Sequence, residues 1–215
     1  MDVLARLDRV RRATNVLDHP FYQRWSAGEL SDGELGVYAG EYRHAVVALA
    51  RASELAAQRA GAEHTAALAG HAEEEAAHVE LWDRFARAAG PAGSTQRPLA
   101  QTDGCVRAWT AGESLLEHLA VLYAIEAGQP EISRTKLDGL TAHYGYTEES
   151  PAVEYFKLHE HLDRDHAEHA RELIRALTAG PGQDAVIESM VRRGRAALRG
   201  NWRLLDGVEA TARAA

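Results

Sequence analysis

The stretch Tyr155-Phe-Lys-Leu-His159-Glu-His-Leu-Asp163-Arg-Asp-His166-Ala-Glu-His-Ala170 decides how this chain is read. At about 100° per residue, His159, Asp163 and His166 project within a sector of about 60° on one helix face. Tyr155, Phe156, Leu162, Ala170, Leu173, Ile174 and Leu177 fall on the same side. The three polar residues therefore sit inside the apolar stripe that must face a core. An unpaired buried carboxylate is expensive, so a core-facing Asp between two His calls for a partner, and a metal ion is the natural one. His161, Asp165 and His169 repeat the same residue types on the opposite face, which reads as the solvent side.

Outward from this stretch the apolar period is 3.6 nearly everywhere, and no segment reads as strand. The expectation is an all-α chain folded as one domain over residues 1–215, a helical bundle of about seven helices. A short lead-in covers residues 2–14. Ser31-Asp-Gly-Glu34 is a capping box that opens a helix running to about Arg59. A second helix starts at Glu63 or Thr65 and ends near Gly90. Pro91 to Thr102 reads as a loop. Further helices run from Glu113 to Ala127, over 132–143, from Ser150-Pro151 to Leu177, and, after Gly180-Pro181-Gly182, over 183–205. Trp202, Leu204 and Leu205 on the last helix read as exposed, which suggests a homodimer.

The composition narrows the class. An apolar share of 46% and a charged share of 26% describe a globular protein. A net charge of −8 argues against nucleic acid as a partner. No apolar run is long enough for a membrane span, and no signal-peptide pattern opens the chain. One cysteine, Cys105, rules out an internal disulfide and fits a cytoplasmic setting. It lies in or just after the loop, away from the inward faces, and is expected to have no catalytic role.

Three other helices carry polar residues on inward faces. Glu75 and His78 are three apart, and His71, Glu74 and His78 align with Leu81, Trp82 and Phe85. Glu126 lines up with Leu115, Leu119, Leu122 and Tyr123 on a helix that is apolar nearly all round. Glu41 aligns with Val37, Tyr38, Ala45 and Ala48. Facing helices that each project Glu or His inward are how bundles build dinuclear iron or manganese sites. The candidate ligands are Glu75, His78, Glu126, His159, Asp163 and His166, with Glu41 as an additional or alternative one. His71, taken singly, reads as a satisfied core histidine. Which of Glu41, His71, Glu74 and Glu75 supplies the early carboxylate or an extra ligand stays open, with Glu75 favoured.

These residues resemble the haem-oxygenase-like helical superfamily, which includes TenA, PqqC and the non-haem diiron oxidases and oxygenases. The likeness covers about residues 15–205. His19-Pro-Phe-Tyr22, Gly28-Glu-Leu-Ser31, and then Tyr38, Glu41 and Tyr42 resemble the TenA/PqqC opening. His78, Glu126, His159, Asp163 and His166 fall at spacings similar to the diiron branch. The helix holding Leu119 to Glu126 has no Cys where TenA-type thiaminases keep their nucleophile.

The resemblance implies a non-haem diiron oxidase or oxygenase with two Fe per chain, Mn being an alternative metal. Its partners would be O2 and a small acid, amino acid or amine, undergoing decarboxylation, desaturation or N-oxygenation. The alternative is a metal-free TenA/PqqC-like enzyme or small-molecule-binding protein. Trp82, Leu119, Leu122 and Tyr123 are the expected substrate lining. Three carboxylates against two Fe(II) leave one positive charge, so a substrate carboxylate is expected beside the metals.

Overall fold

The computed structural model describes residues 2–90 and 97–212; residues 91–96 of the expected loop lie outside the described residues. Among the described residues the chain is all-helical, with nine α-helices in the order α1 (Val3–Ala13), α2 (Pro20–Ala27), α3 (Asp32–Gln58), α4 (Ala62–Ala89), α5 (Ala100–Thr110), α6 (Leu115–Glu126), α7 (Gln129–His143), α8 (Glu154–Thr178) and α9 (Asp184–Ala212). Short 3-10 turns at Val16–Asp18 and Pro151–Val153 lead into α2 and α8.

Several helices begin where the sequence says they must. Ser31 accepts from the Glu34 N–H, and the Glu34 carboxylate accepts from the Ser31 N–H, which closes the capping box of α3. Ser114 caps α6 by accepting from the Glu117 N–H. Buried residues fill α6 from Glu117 to Glu126, so this helix is the central strut of the bundle. Pro130, read as a stop after α6, also sits in the first turn of α7, where its missing N–H costs nothing.

Two short helices come in addition to the expected set. The capping group of α2 is the His19 imidazole, which accepts from the Phe21 N–H, and Gly28 ends the helix at φ +72. α5 takes in the end of what reads as loop, residues 100–102, and the unassigned stretch after it, and it has no side-chain cap of its own. Its first turn is held from a distance by Glu41 on α3, whose carboxylate accepts from the Leu99 N–H and the Thr102 hydroxyl. Cys105 therefore lies within a helix rather than a loop, buried against α9.

Two apolar clusters flank α6. The larger gathers α2, α3, α4 and α9 around Trp25, Tyr38, Trp82 and Phe85, and the smaller joins α1, α6, α8 and α9 around Leu7, Leu119, Ile174 and Met190. The last helix does not present an apolar face outward. Leu204 and Leu205 are fully buried, and Trp202 is half-buried with its ring edge-on to His19 at 4.8 Å. The ground for expecting a homodimer from these three residues is therefore removed: α9 runs across the bundle and spends that face on the core.

Candidate metal centre

Three helices bring seven ligand-type side chains to one buried point. On α4, His71, Glu75 and His78 recur at i, i+4 and i+7, one face of the helix. α6 contributes Glu126 from its last turn, and α8 contributes His159, Asp163 and His166. The structure thus brings together six of the expected ligands and adds His71. Taken singly that residue reads as a satisfied core histidine, and here it is corrected: its Nε2 lies 3.3 Å from the Glu126 carboxylate and 3.8 Å from that of Glu75. The i, i+4, i+7 register with Glu75 and His78 was the signal that identifies it. Glu74, one residue off that register, lies at the exposed rim and pairs with His166 Nε2 at 3.1 Å.

Glu41 stands apart. Its carboxylate is engaged with Leu99 and Thr102 at the start of α5, and it belongs to none of the ligand groups below. Glu41 is buried on the inward side of α3, and that side faces α5.

Glu75 is the pivot. Its Oε1 lies 3.5 Å from His78 Nδ1 and 3.5 Å from His166 Nδ1. Three overlapping groups have ligand atoms within 4.8 Å of one another: Glu75, His78 and His159; Glu75, Asp163 and His166; and His71, Glu126 and His166. The rings of His71 and His166 are 4.0 Å apart, and those of His78 and His159 are 4.7 Å apart. His159 is oriented from behind: its Nδ1 donates to the Tyr155 carbonyl at 2.7 Å, and the Tyr155 ring stacks on it at 3.9 Å. That bond turns Nε2 toward the cluster, the arrangement that fixes tautomer and aim in imidazole ligands.

The test of fit is the polar bookkeeping. Both carboxylate oxygens of Glu75, Glu126 and Asp163 are buried without a hydrogen-bond partner, as are His71 Nε2, His78 Nδ1, His159 Nε2 and His166 Nδ1. One orphaned polar atom is unusual in a folded protein, and ten at one point are very costly unless cations fill the space between them. Oxygen and imidazole donors without thiolate suit iron or manganese.

Protons partly stand in for cations. Burial works against charge on Glu75, but the nearby imidazoles of His166, His71 and His78 hold its carboxyl well below the usual range. Burial raises Asp163 well above that range, and neighbouring Glu75 and Glu126 raise it further. His71 is opposed by burial, yet Glu126 and Glu75 raise it to about 10. Burial lowers His159 to about 4.

Lys136 is a residue that reading for ligands missed. It is fully buried on α7, with Nζ without a hydrogen-bond partner. The rings of Tyr42, Tyr22 and Tyr38 surround it at 4.6, 5.4 and 5.7 Å. Burial lowers it to about 7, with Asp163 acting in the opposite sense. Its position four residues from both Ile132 and Leu140 placed it on the apolar face of α7, and that was legible.

The expected substrate lining is not brought to one place. Trp82 and Leu122 belong to the larger cluster, and Leu119 and Tyr123 to the smaller. Tyr123 points at α1 and α8, donating to Asp8 at 2.7 Å and accepting from Arg171 at 2.9 Å.

Residues 37–198 match the family described as iron-containing redox enzyme. The chain is similar to the 4-aminobenzoate synthase of Chlamydia muridarum (strain MoPn / Nigg), at 28% identity over 204 residues, 88% of this chain and 84% of that protein. It is equally similar to the 4-aminobenzoate synthase of Nitrosomonas europaea, at 28% over 225 residues, 94% and 89% of the two chains. Among solved structures, a TenA homolog from Pseudomonas syringae pv. tomato superposes with a TM-score of 0.82 at 16% identity, over 97% of this chain and 91% of that one. A domain of unknown function with a heme oxygenase-like fold from Shewanella denitrificans gives 0.81 at 19%, over 99% and 94%. At these identities the structures show the fold, which is haem-oxygenase-like.

Proposed function

We propose, from the premise that the chain belongs to the family of iron-containing redox enzymes and is an oxidoreductase, that it is a non-haem, O2-dependent enzyme with two irons per chain whose product is an aromatic amino acid of the 4-aminobenzoate type. The observation that carries the metal reading is the set of ten orphaned buried ligand atoms on α4, α6 and α8. The substrate class rests on the two relatives' names.

In this reading Glu75, His78 and His159, together with His71, Glu126, Asp163 and His166, would hold the ions. Iron, when bound, supplies the redox chemistry on O2 that no side chain can perform. The protein's share is to orient, to exclude water and to manage protons. Tyr155 fixes the aim of His159, and Glu74 that of His166. The wall of Trp82, Phe156 and Tyr155 keeps the deep side dry. Lys136, held by burial to about 7, can keep or give up a proton at Nζ near neutral pH, and Asp163 favours its keeping it.

The test has two arms. Protein purified from iron-supplied cells is assayed for metal, and the gene is asked to restore growth of a bacterium that cannot make 4-aminobenzoate. Iron content together with O2-dependent rescue, both lost in His159→Ala and Asp163→Ala, is the expected result. Metal-free protein that cannot be loaded with Fe(II) would defeat the metal reading. Iron-loaded protein that forms no 4-aminobenzoate would defeat the product assignment and leave the metal reading standing.

A further inference from the structure

On a chain of net charge −8, arginines collect in one groove between α5 and α9. Arg107 on α5 and Arg192, Arg193, Arg195, Arg199 and Arg203 on α9 line an open cavity of about 910 Å³, and among the described residues no acidic side chain lines it. Arg107 is paired with Asp103, and Arg193 with Glu117. Arg195, Arg199 and Arg203 are exposed and have no ion pair among the described residues. They follow one another at i and i+4, where like charges repel and weaken a helix. Such a stripe is a standing cost that an anionic partner would relieve.

A second observation says which partner. Gly200 lets α9 approach α5 so closely that an added Cβ would meet the Cys105 backbone at 3.2 Å, which puts Cys105 at the groove floor. Cys105 on α5 and Tyr42 on α3 lie in the same apolar cluster, on two helices that pack together. From Tyr42 the rings run inward without a gap: Tyr42 to Trp82 at 5.1 Å, Trp82 to Tyr155 at 4.9 Å, and Tyr155 to His159 at 3.9 Å. The basic groove is thus joined by packed aromatic rings to the back of a candidate ligand.

We propose that this groove is the docking site of an acidic one-electron carrier protein, which delivers electrons to the buried centre through Tyr42, Trp82 and Tyr155. The proposal rests on the reading of the cluster as an iron centre. His159, Asp163 and Glu75 have no exposed surface, so a donor seated in this groove must deliver to them through the protein. Each docking event oxidises one carrier by one electron, and two events return two ferric ions to the ferrous state with no covalent bond made or broken. Redox encounters use small interfaces steered by opposite charge, the scale and sign of this groove. Nucleic acid is disfavoured because no aromatic side chain lines the groove for bases to stack on.

The probe is an acidic plant-type two-iron, two-sulfur ferredoxin. Its binding to metal-free protein is measured by calorimetry at low and high salt, and its oxidation by iron-loaded ferric protein is followed from the ferredoxin's own absorbance. The expected result is binding that weakens with salt, and that weakens at least tenfold in the triple variant Arg195→Glu/Arg199→Glu/Arg203→Glu, with oxidation of the carrier slowed to match. Iron content and melting temperature stay as in the wild type, and the Arg9→Glu control binds normally. If charge reversal impairs folding, the triple Gln variant takes its place. Binding that is absent, or unchanged in the triple variant, overturns the proposal. So does displacement of the ferredoxin by phosphatidylglycerol vesicles or duplex DNA at equal charge. Because docking is read on metal-free protein, its failure is distinct from a failure of the iron reading, which metal analysis decides separately.

Discussion

Helix α8 carries the same chemistry on two faces. His159, Asp163 and His166 point into the bundle, while His161 and Asp165 lie exposed on the other side and His169 is half-buried. The inward Asp163 is pushed well above the ordinary carboxyl range, chiefly by burial. His159 meets Glu75 and His78, and His166 meets Glu75, Glu126 and His71, close enough to share an ion. Residue type is thus silent; what separates a ligand from a solvated side chain is two positions of helical register and what the facing helix offers. A metal site assembled on helix faces is specified by pairs of helices, here α4 against α8 with the end of α6 between them.

The sharpest way to break this comparison is to remove one member from each face. His159→Ala and Asp163→Ala should lose roughly half or more of the bound iron, and activity should fall beyond the ~10–100-fold that a supporting partner is worth. His161→Ala and Asp165→Ala should retain both. Metal analysis of the four purified variants decides it, and equal behaviour of the two pairs would refute the assignment by face. His71→Ala belongs with the first pair and should lower iron while leaving the Glu75, His78 and His159 group able to bind.

A second break uses pH. A folded-state value of about 10 for His71, above its ordinary 6.5, stabilises the metal-free protein fully below pH 6.5, and that contribution is lost as pH rises toward 10. The raised Asp163 acts in the same sense from its ordinary range upward. Glu75, which is lowered, contributes above its ordinary value and loses stability only in acid, outside this window. Lys136, lowered to about 7, runs the other way in this window because the unfolded chain then binds the extra proton. It is one group against His71 and Asp163, so the metal-free protein should still melt at a lower temperature at pH 8.5 than at pH 6.5. Metal binding displaces the same protons, so the rise in melting temperature on adding Fe(II) without oxygen should be larger at pH 8.5. An equal rise at both values would mean that the cluster holds no displaceable proton. The outer face supplies the control, because His161→Ala should leave both temperatures in place.

Much of this was legible because it is local. The long helices, the capping box at Ser31 and the inward set on α8 follow from spacing alone. What stayed hidden depends on distant partners. α5 has no cap of its own and is held by Glu41, whose role no local pattern reveals. α2 is capped by an imidazole, an unusual choice that hides its start. Leu204 and Leu205 read as exposed because two of the helices α9 packs against, α2 and α5, have no signal of their own in the sequence. Leu119 and Leu122 look like one lining in sequence, yet α6 divides two clusters and gives each side one of them. Lys136 is a different case, since its register was visible and only the expectation that lysine faces water concealed it.

A milder test concerns the support behind the inward face. Glu74 is exposed, yet it accepts from His166 Nε2 at 3.1 Å, a bond that leaves Nδ1 free to face Glu75. Glu74→Gln keeps the size and weakens that orienting bond. Affinity for Fe(II) should fall by about 10–100-fold, with the fold and the His159 side of the cluster intact. A metal titration of wild type against Glu74→Gln checks it, and Glu73→Gln, one residue away, should titrate as wild type.

The smallest effect should come from Glu41, which shares the inward direction of the ligands but not their place. Its carboxylate accepts from the Leu99 N–H at 3.0 Å and from the Thr102 hydroxyl, so it does the work of a helix cap from another helix. Glu41→Ala leaves those donors at the start of α5 without that acceptor, a loss of about 0.5–2 kcal/mol by the measure of ordinary caps. Urea unfolding should show the change as a lower midpoint with an unaltered slope. Iron content and the pH dependence of melting should match the wild type, because neither Leu99 nor Thr102 touches the cluster. If instead Glu41→Ala sheds iron while keeping its stability, Glu41 is a ligand after all. The boundary drawn between the centre and its scaffold would then have to move from α4 out to α3.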